Sequence, residues 1–321
     1  MKSAAKHDNF AEDVRRGLSS NLKSLSSKYF YDDEGSRLFQ QIMELPEYYP
    51  TRTEFEIFKT QADGIFEAFT AQSPAFDLIE LGAGDGTKTA VLIDYFLHEK
   101  ADFTYSPIDI SQKAVDCLTE KFAAEFPDLK MNAKCGDYFQ TLDALKTESE
   151  KAKILLFLGS NIGNFSYVQS LEFFRSLRSV MHENDLLFVG FDLKKDPHVI
   201  LSAYDDKSGV TAEFNLNLLG RINRELGANF DVQNFSHYAS YHPIDGAARS
   251  FLISRVEQTV FIESLNQEFQ FKAWEPIFVE ISQKYNLEMI ADLAQTSGFE
   301  VSANFFDDKR YFVDSLWKVL K

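Results

Sequence analysis

Residues 76–89, FDLIELGAGDGTKT, constrain the fold more than any other stretch of the chain. A short apolar run with Leu78, Ile79 and Leu81 meets glycines at three alternate positions, Gly82, Gly84 and Gly86, and a helix-like segment follows from Thr87 to His98. Apolar strand, glycine turn and helix N-terminus together make a ligand site. Glycine lets backbone approach a bound molecule, and the helix end offers N–H groups that lack intrahelical partners. Spacing argues against phosphate ligands. The lysine loop that cradles phosphates has Gly directly before Lys-Thr, whereas here Thr87 precedes Lys88 and Thr89. The dinucleotide fingerprint has its third glycine three residues after the second. Here it comes after two, and Asp85 inside the turn would repel a pyrophosphate.

An acid at the strand end, Glu80, followed by Gly-x-Gly resembles instead the donor loop of class I S-adenosylmethionine-dependent methyltransferases. That donor carries a sulfonium, an ammonium and a carboxylate, and no phosphate. A glycine turn with a purely structural job is the other reading of the same residues. Charge narrows the acceptor. With 33 Lys and Arg against 49 Asp and Glu the formal net charge is 33 − 49 = −16. So acidic a chain has no electrostatic footprint for nucleic acid or an anionic membrane, which disfavours a DNA or RNA methyltransferase. The N-terminal MKSAAKHDNF has no apolar core for a signal peptide, and no run approaches the length of a membrane span. Cys117 and Cys135 cannot make a disulfide framework or a zinc site, and the six histidines show no ligand spacing. The expectation is a cytoplasmic, metal-free monomer that binds neither nucleic acid nor membrane.

From Phe76 the chain alternates. Strand 76–81, helix 87–98, strand 103–109, a helix capped by Ser111 and running to Phe126, and a strand from Met131 to Cys135 follow in turn. KILLFLGS (153–160) is continuously apolar, as for a central parallel strand buried on both faces. A helix at 168–181 and a strand at 185–193 continue the pattern, which argues for a doubly wound parallel sheet. Before it, residues 9–19 read as a short helix, and KYFYDDEGSRLFQQIMELPEYYPTRTEFEIF is crowded with aromatics that fit no clean period. A helix starting at Thr51 or Thr53 and reaching Ala68 would carry Glu54 and Glu56 in its first turn, suited to the helix dipole. After Lys195 the regularity breaks into two helices around Gly209, the second closed by Gly227, and then RSFLISRVEQTVFI and QEFQFKAW alternate like antiparallel strands. A helix at 286–296 and two final strands, FEVSANFF and YFVDSLWKV, restore the α/β pattern as a terminal antiparallel hairpin. The fold class expected is α/β, a Rossmann-like class I methyltransferase sheet plus a second, α+β domain that binds substrate. Residues 54–195 and 285–321 form the first domain, residues 1–53 and 196–284 the second.

Ligands of open α/β sheets sit at the carboxyl ends of strands. Gly82 and Gly84 end the first strand. Asp109 ends the second, where a carboxylate accepts from ribose hydroxyls, unless it is a solvated turn acid. Asp137 and Tyr138 end the third and suit an adenine amino group and ring. Lys88 lies in a first helical turn, where a cation opposes the dipole. It either contacts a ligand carboxylate or is solvated. The fourth strand runs into GSNIGNF, where Asn164 either holds an amine substrate or bonds its own backbone. In IFVEISQ (277–283), alternation sends Ile277, Val279 and Ile281 one way and Phe278, Glu280 and Ser282 the other. An acid and a hydroxyl on one face could bond the two nitrogens of an imidazole, though the pattern alone favours a solvent-facing edge strand.

The motifs KYFYDDEGSRLFQQIMELPEYYPTRTE, IELGAGDGTKT, PIDIS, CGDYF, FLGSNIGNF, DLKKD, AYDDKSGVTAEFN, NRELGANFD and EISQKY resemble the histidine-specific N-methyltransferases of ergothioneine biosynthesis, from about Arg15 to Leu320. The resemblance implies S-adenosylmethionine as methyl donor and L-histidine as acceptor, with the betaine hercynine as product. It implies that Tyr48, Asn164 and Tyr204 hold the α-amino and carboxylate groups. Glu280 and Ser282 would read the imidazole, with Tyr31 and Phe39 lining its pocket, and Gly82, Lys88, Asp109, Asp137 and Tyr138 would match donor positions. Ser250 is a departure, standing where the family has a methionine beside the side-chain pocket. Related fungal enzymes act on tryptophan-type substrates, so another aromatic amino acid is the rival substrate. A non-catalytic cofactor-binding subunit is the rival from another class.

Overall fold

The computed structural model describes residues 7–71, 73–136, 138, 141–142 and 151–320. The chain divides into two compact units, a smaller one made of the chain up to Tyr49 with Lys195–Ser282, and a larger one made of Pro50–Lys194 and Gln283 onward.

The smaller unit begins with α1 (His7–Leu18) and α2 (Asp33–Glu44). The sequence reading did not foresee α2. Its start is fixed by Asp32, whose Oδ1 accepts from Gly35 N–H at 2.7 Å, and Leu38 and Ile42 one turn apart supply the buried stripe. Gly35 sits inside the helix because a Cβ there would stand 1.7 Å from the Phe30 carbonyl oxygen.

The larger unit takes over at α3 (Pro50–Thr70). Proline at a helix start loses no internal hydrogen bond, and the helix belongs whole to this unit, so the boundary falls at Pro50 rather than at residue 54. Gln61 interrupts it with φ −131° and sends its side-chain N–H to the Phe306 carbonyl at 2.6 Å. There follow β1 (Ala75–Leu81), α4 (Thr89–His98), β2 (Asp102–Asp109), α5 (Gln112–Glu125), β3 (Lys134–Cys135), β4 (Ala152–Phe157), α6 (Tyr167–Val180) and β5 (Leu186–Asp192).

The chain then re-enters the smaller unit with α7 (Pro197–Ser202) and α8 (Val210–Leu226), closed by Gly227 at φ +65°. The strands β6 (Phe235–His242), β7 (Ala247–Ser254), β8 (Gln258–Ile262), β9 (Gln267–Phe271) and β10 (Pro276–Gln283) complete it. RSFLISRVEQTVFI is therefore two strands, with β8 and β9 forming an antiparallel pair and β10, β7 and β6 a separate sheet in that order. Residues Lys23 and Leu25 run along β10, exchanging backbone bonds with Phe278 at 2.9 Å each. The core joins α1, α2 and α8 to the strands through Phe10, Leu38, Ile42, Phe214, Leu218, Leu252, Ile277 and Val279.

Finally α9 (Leu287–Thr296), β11 (Phe299–Phe306) and β12 (Phe312–Val319) return to the larger unit. Its seven-stranded sheet has the order β11-β12-β5-β4-β1-β2-β3. β3, β2, β1, β4 and β5 are parallel, and β12 runs antiparallel to both β5 and β11. This is the expected methyltransferase sheet with its terminal hairpin. Helices α3, α4 and α5 cover one face through Phe58, Phe69, Phe96 and Phe122. On the other face, α6 and α9 contribute Phe173, Phe174, Leu177, Ile290 and Leu293, packed with Trp317 of β12. Each such phenylalanine contributes about 2 kcal/mol of burial, which is where much of the chain's unusual phenylalanine content goes.

Candidate active site

The glycine turn after β1 is left-handed at Gly82, Gly84 and Gly86, with φ of +74°, +57° and +65°. Gly86 also admits α5, since a Cβ there would meet Leu118 and Phe122 within 2.7 Å, and Gly84 faces open space where a Cβ would touch nothing within 4 Å. Glu80 does not face a ligand. It turns inward and is buried, with Oε1 accepting from the Thr89 hydroxyl at 2.8 Å and Oε2 from the Tyr105 hydroxyl. It thereby ties the end of β1 to the start of α4 and to β2. Burial pushes its pKa up to about 7, against the opposing pull of those two hydroxyls and of Lys88. A carboxyl raised in the folded state stabilises the fold at low pH and loses that contribution as pH rises through its folded value. Stability is therefore expected to fall by about 3 kcal/mol through this group between roughly pH 4.5 and pH 7 and above. Urea midpoints across that range should decline less steeply in Glu80→Gln than in wild type; identical slopes would show that Glu80 does not titrate there.

Around this turn the structure gathers the donor-side residues of the larger unit. A Cβ on Gly82 would stand 2.7 Å from the Tyr138 hydroxyl, so Tyr138 lies against the turn. Asp109 closes β2 with Oδ1 accepting from Ser111 N–H at 2.9 Å, and its carbonyl takes the Gly136 N–H at 2.9 Å. Asp137 lies outside the described residues. Lys88 precedes the first turn of α4 instead of lying in it, and its ammonium is paired with the buried Glu54 carboxylate. The cation at a helix start, read in the sequence as a sign of a ligand carboxylate, thus has a partner within the protein. Burial draws the Lys88 pKa down most strongly, but the charge and hydrogen bond of Glu54 together with the nearby acids Glu80 and Asp314 outweigh it, and the net displacement is upward.

The loop after β4 is held under backbone strain. Gly159 and Ser160 both have positive φ, +73° and +54°, and a non-glycine residue there costs about 1 kcal/mol or more. Ser160 is kept in place because its hydroxyl accepts the Asp192 N–H at 3.0 Å and its carbonyl the Gly163 N–H at 2.8 Å. A Cβ on Gly163 would lie 3.0 Å from the Gln283 carbonyl oxygen. Asn164 ends this short helical turn and is half-buried.

In the smaller unit an aromatic wall forms from α2 and its flanks. The Tyr31 and Phe39 rings lie 5.5 Å apart, Phe39 and Tyr48 6.1 Å, and Phe214 of α8 touches Tyr31 and Phe39 at 5.7 and 5.8 Å. Polar groups of β10 join it. The Tyr204 and Ser282 hydroxyls are 2.7 Å apart, and the buried Ser250 hydroxyl points at Glu280 Oε2 from 3.5 Å. The Tyr31 phenol is pushed above its ordinary value first by burial, then by the charges of Glu280 and Tyr204, although 47 % of the Tyr31 surface stays open. The alternation expected along β10 is corrected here. Phe278 packs on Phe251 at 5.7 Å between ring centroids, whereas Glu280 meets Ser250. Ser250 and Phe251 are adjacent on β7 and face opposite sides, so the side-chain pattern of β10 slips by one between Phe278 and Glu280, as at a β-bulge. That slip turns Glu280 away from solvent on an edge strand.

The model of a protein family described as histidine-specific, S-adenosylmethionine-dependent methyltransferases matches residues 10–319. The chain belongs to that family. A histidine N-alpha-methyltransferase of Mycolicibacterium smegmatis is 38 % identical over 284 residues, 88 % of this chain and 87 % of the relative. One from Mycobacterium tuberculosis is 36 % identical, covering 90 % of this chain and 89 % of the relative. Ergothioneine biosynthesis protein 1 of Schizosaccharomyces pombe is 29 % identical over 88 % of this chain, which spans 37 % of that longer protein.

A histidine-specific methyltransferase draws its methyl from S-adenosylmethionine, which supplies an electrophilic carbon on a sulfonium. The residues present fit that donor. The left-handed glycines leave room at the end of β1, Tyr138 lies beside them, and Asp109 stands at the end of β2. The structure brings Tyr31, Phe39, Tyr48, Tyr204, Glu280 and Ser282 into the smaller unit, and Gly82, Gly84, Lys88, Asp109, Tyr138 and Asn164 into the larger. Sequence reasoning missed Phe214 as part of the aromatic wall and Glu54 as the partner of Lys88. Among the described residues no helix is long and apolar enough to cross a membrane.

Proposed function

We propose that this chain trimethylates the α-nitrogen of free L-histidine to hercynine, as the first step of ergothioneine biosynthesis. The observation that carries this reading is the hydroxyl pair of Tyr204 and Ser282 with the Ser250–Glu280 contact on the same smaller unit as the Tyr31–Phe39–Tyr48 wall, polar groups of the kind that would bond an imidazole and aromatics that would back it. The smaller unit acts as the substrate domain in this reading and the larger as the donor domain. Both residue sets lie on one chain, in keeping with a monomer that works in the cytoplasm.

Tyr48, Asn164 and Tyr204 hold the α-amino and carboxylate groups. The amine must arrive without its extra proton, since only a free lone pair attacks the methyl. Orientation of that lone pair supplies much of the rate, up to roughly 7–11 kcal/mol in well-aligned intramolecular reactions. Gly82, Gly84, Asp109, Asp137 and Tyr138 hold the nucleoside end of the donor, and Lys88 its carboxylate.

The expected result of incubating purified protein with S-adenosylmethionine and a mixture of amino acids is a stepwise gain of one, two and three methyls on histidine alone, read by mass spectrometry. Ser250 favours a second reading, another aromatic amino acid as acceptor, because a small buried residue beside Glu280 leaves room for a larger ring. Methylation of tryptophan ahead of histidine in the same mixture would establish that reading instead. No gain on any amino acid would leave only a non-catalytic role.

A further inference from the structure

Glu54 and Asp314 have no role in the mechanism above, yet both are fully buried carboxyl groups in the larger unit. Glu54 takes the Lys88 ammonium on one oxygen and the Gly159 N–H on the other, the latter at 2.7 Å. Lys88 stands directly after the glycine turn, and Gly159 opens the loop that ends at Asn164. A single carboxylate therefore ties the end of β1 to the end of β4.

Asp314 lies beside it. In the antiparallel pair of β12 and β5, Asp314 is opposite Gly190, so the two residues project to the same face. A Cβ on Gly190 would stand 2.4 Å from Glu54 Oε1. That position is glycine because Glu54 fills its side-chain space, next to Asp314. Neither Asp314 oxygen receives a hydrogen bond, although both are buried. The titratable groups facing them are Glu54 from α3 and Lys88 from the start of α4. Glu80 of β1, the next acid, is occupied by Thr89 and Tyr105. Two adjacent carboxylates that share one nearby ammonium, itself paired with only one of them, do not both ionise in a dry interior.

We propose that Asp314 keeps its proton and donates a hydrogen bond through it to Glu54, and that this carboxyl pair is a positioning device that holds Lys88 and the Gly159 N–H in place for methyl transfer. Burial first, then the Glu54 charge, keep Asp314 well above the usual carboxylate range, with Lys88 pulling the other way. With its proton, Asp314 has a donor for Glu54, and the carboxylate charge left on Glu54 matches the single charge of Lys88. The inference rests on reading Lys88 as the contact for the donor's carboxylate.

The test is calorimetric titration of S-adenosylhomocysteine into wild type, Glu54→Gln, Glu54→Asp, Lys88→Ala and the double variant of Glu54→Gln with Lys88→Ala. Binding about tenfold weaker is expected for Glu54→Gln and for Lys88→Ala, and about threefold weaker for Glu54→Asp, whose charge is withdrawn by one methylene. The double variant should bind no more weakly than Lys88→Ala alone, since Glu54 acts through Lys88. A wild-type infrared spectrum at about pH 9, where Glu80 is ionised, should show a protonated carboxyl band that is missing in Asp314→Asn. That comparison stands even where Glu54→Gln fails to fold. Unchanged affinity in Lys88→Ala would refute the reading of Lys88 and this inference with it. Weakened Lys88→Ala beside unaffected Glu54 variants, additive losses in the double variant, or no such band in wild type would overturn the carboxyl-pair proposal alone.

Discussion

Replacing Asn164 by alanine is expected to lower kcat for histidine about 10²-fold while the affinity for S-adenosylhomocysteine is kept. The loss should fall on turnover because the proposed job of the amide is to orient the α-amine, and a misplacement of about 1 Å in a reacting group is worth that much. The loop itself should survive the change. Its shape is set by Gly159 and Ser160 with their positive φ, by the Asp192 N–H on the Ser160 hydroxyl and by the close approach of Gly163 to Gln283, none of which involves the Asn164 side chain. Steady-state kinetics with calorimetry separate the two quantities. Intact turnover would remove Asn164 as the amine holder.

For Glu280→Ala, kcat/KM for histidine is expected to fall about 10²-fold, equivalent to about 3 kcal/mol, the scale of a charge-assisted hydrogen bond in a partly buried site. The same change should improve the competitive position of phenylalanine and tryptophan, because a site built for buried hydrogen bonds rejects partners that leave them unmade. Ser250 and Ser282 would remain to offer hydroxyls, so discrimination should shrink without vanishing. Competition assays with mixed amino acids read both effects at once. A near-wild-type value for histidine with no gain for the apolar ring amino acids would dismiss Glu280 as the imidazole reader.

The sheet of the larger unit was legible because its signals are local. The apolar runs of β4 and β5, the cap at Ser111, the Gly227 stop and the terminal hairpin each follow from a few adjacent residues. α2 escaped because aromatics that line a wall obscured the Leu38–Ile42 stripe, and its glycine answers to Phe30 rather than to helix propensity. The slip along β10 depends on which β7 residue each side chain meets, and no alternation in the segment's own sequence reveals it. Glu54 was read as a first-turn acid, a local explanation that fits, while its partners Lys88 and Gly159 stand 34 and 105 residues away. One signal for it was available. Gly190 interrupts an otherwise apolar buried strand, and glycine there marks a close approach by something else. Of the site, the donor turn could be read from residue order, and the imidazole cluster became legible through family resemblance.

The backbone bonds between Lys23, Leu25 and Phe278 bear on how copies of the protein behave toward one another. An open sheet edge is a template on which a second chain can add a strand, and natural edges are blunted by covering segments and by charges turned inward. β10 has both, with Lys23–Leu25 along its flank and Glu280 further on. The Lys23–Leu25 segment thus occupies backbone groups of β10 on which a second copy could otherwise add a strand, and loosening that segment would open the edge.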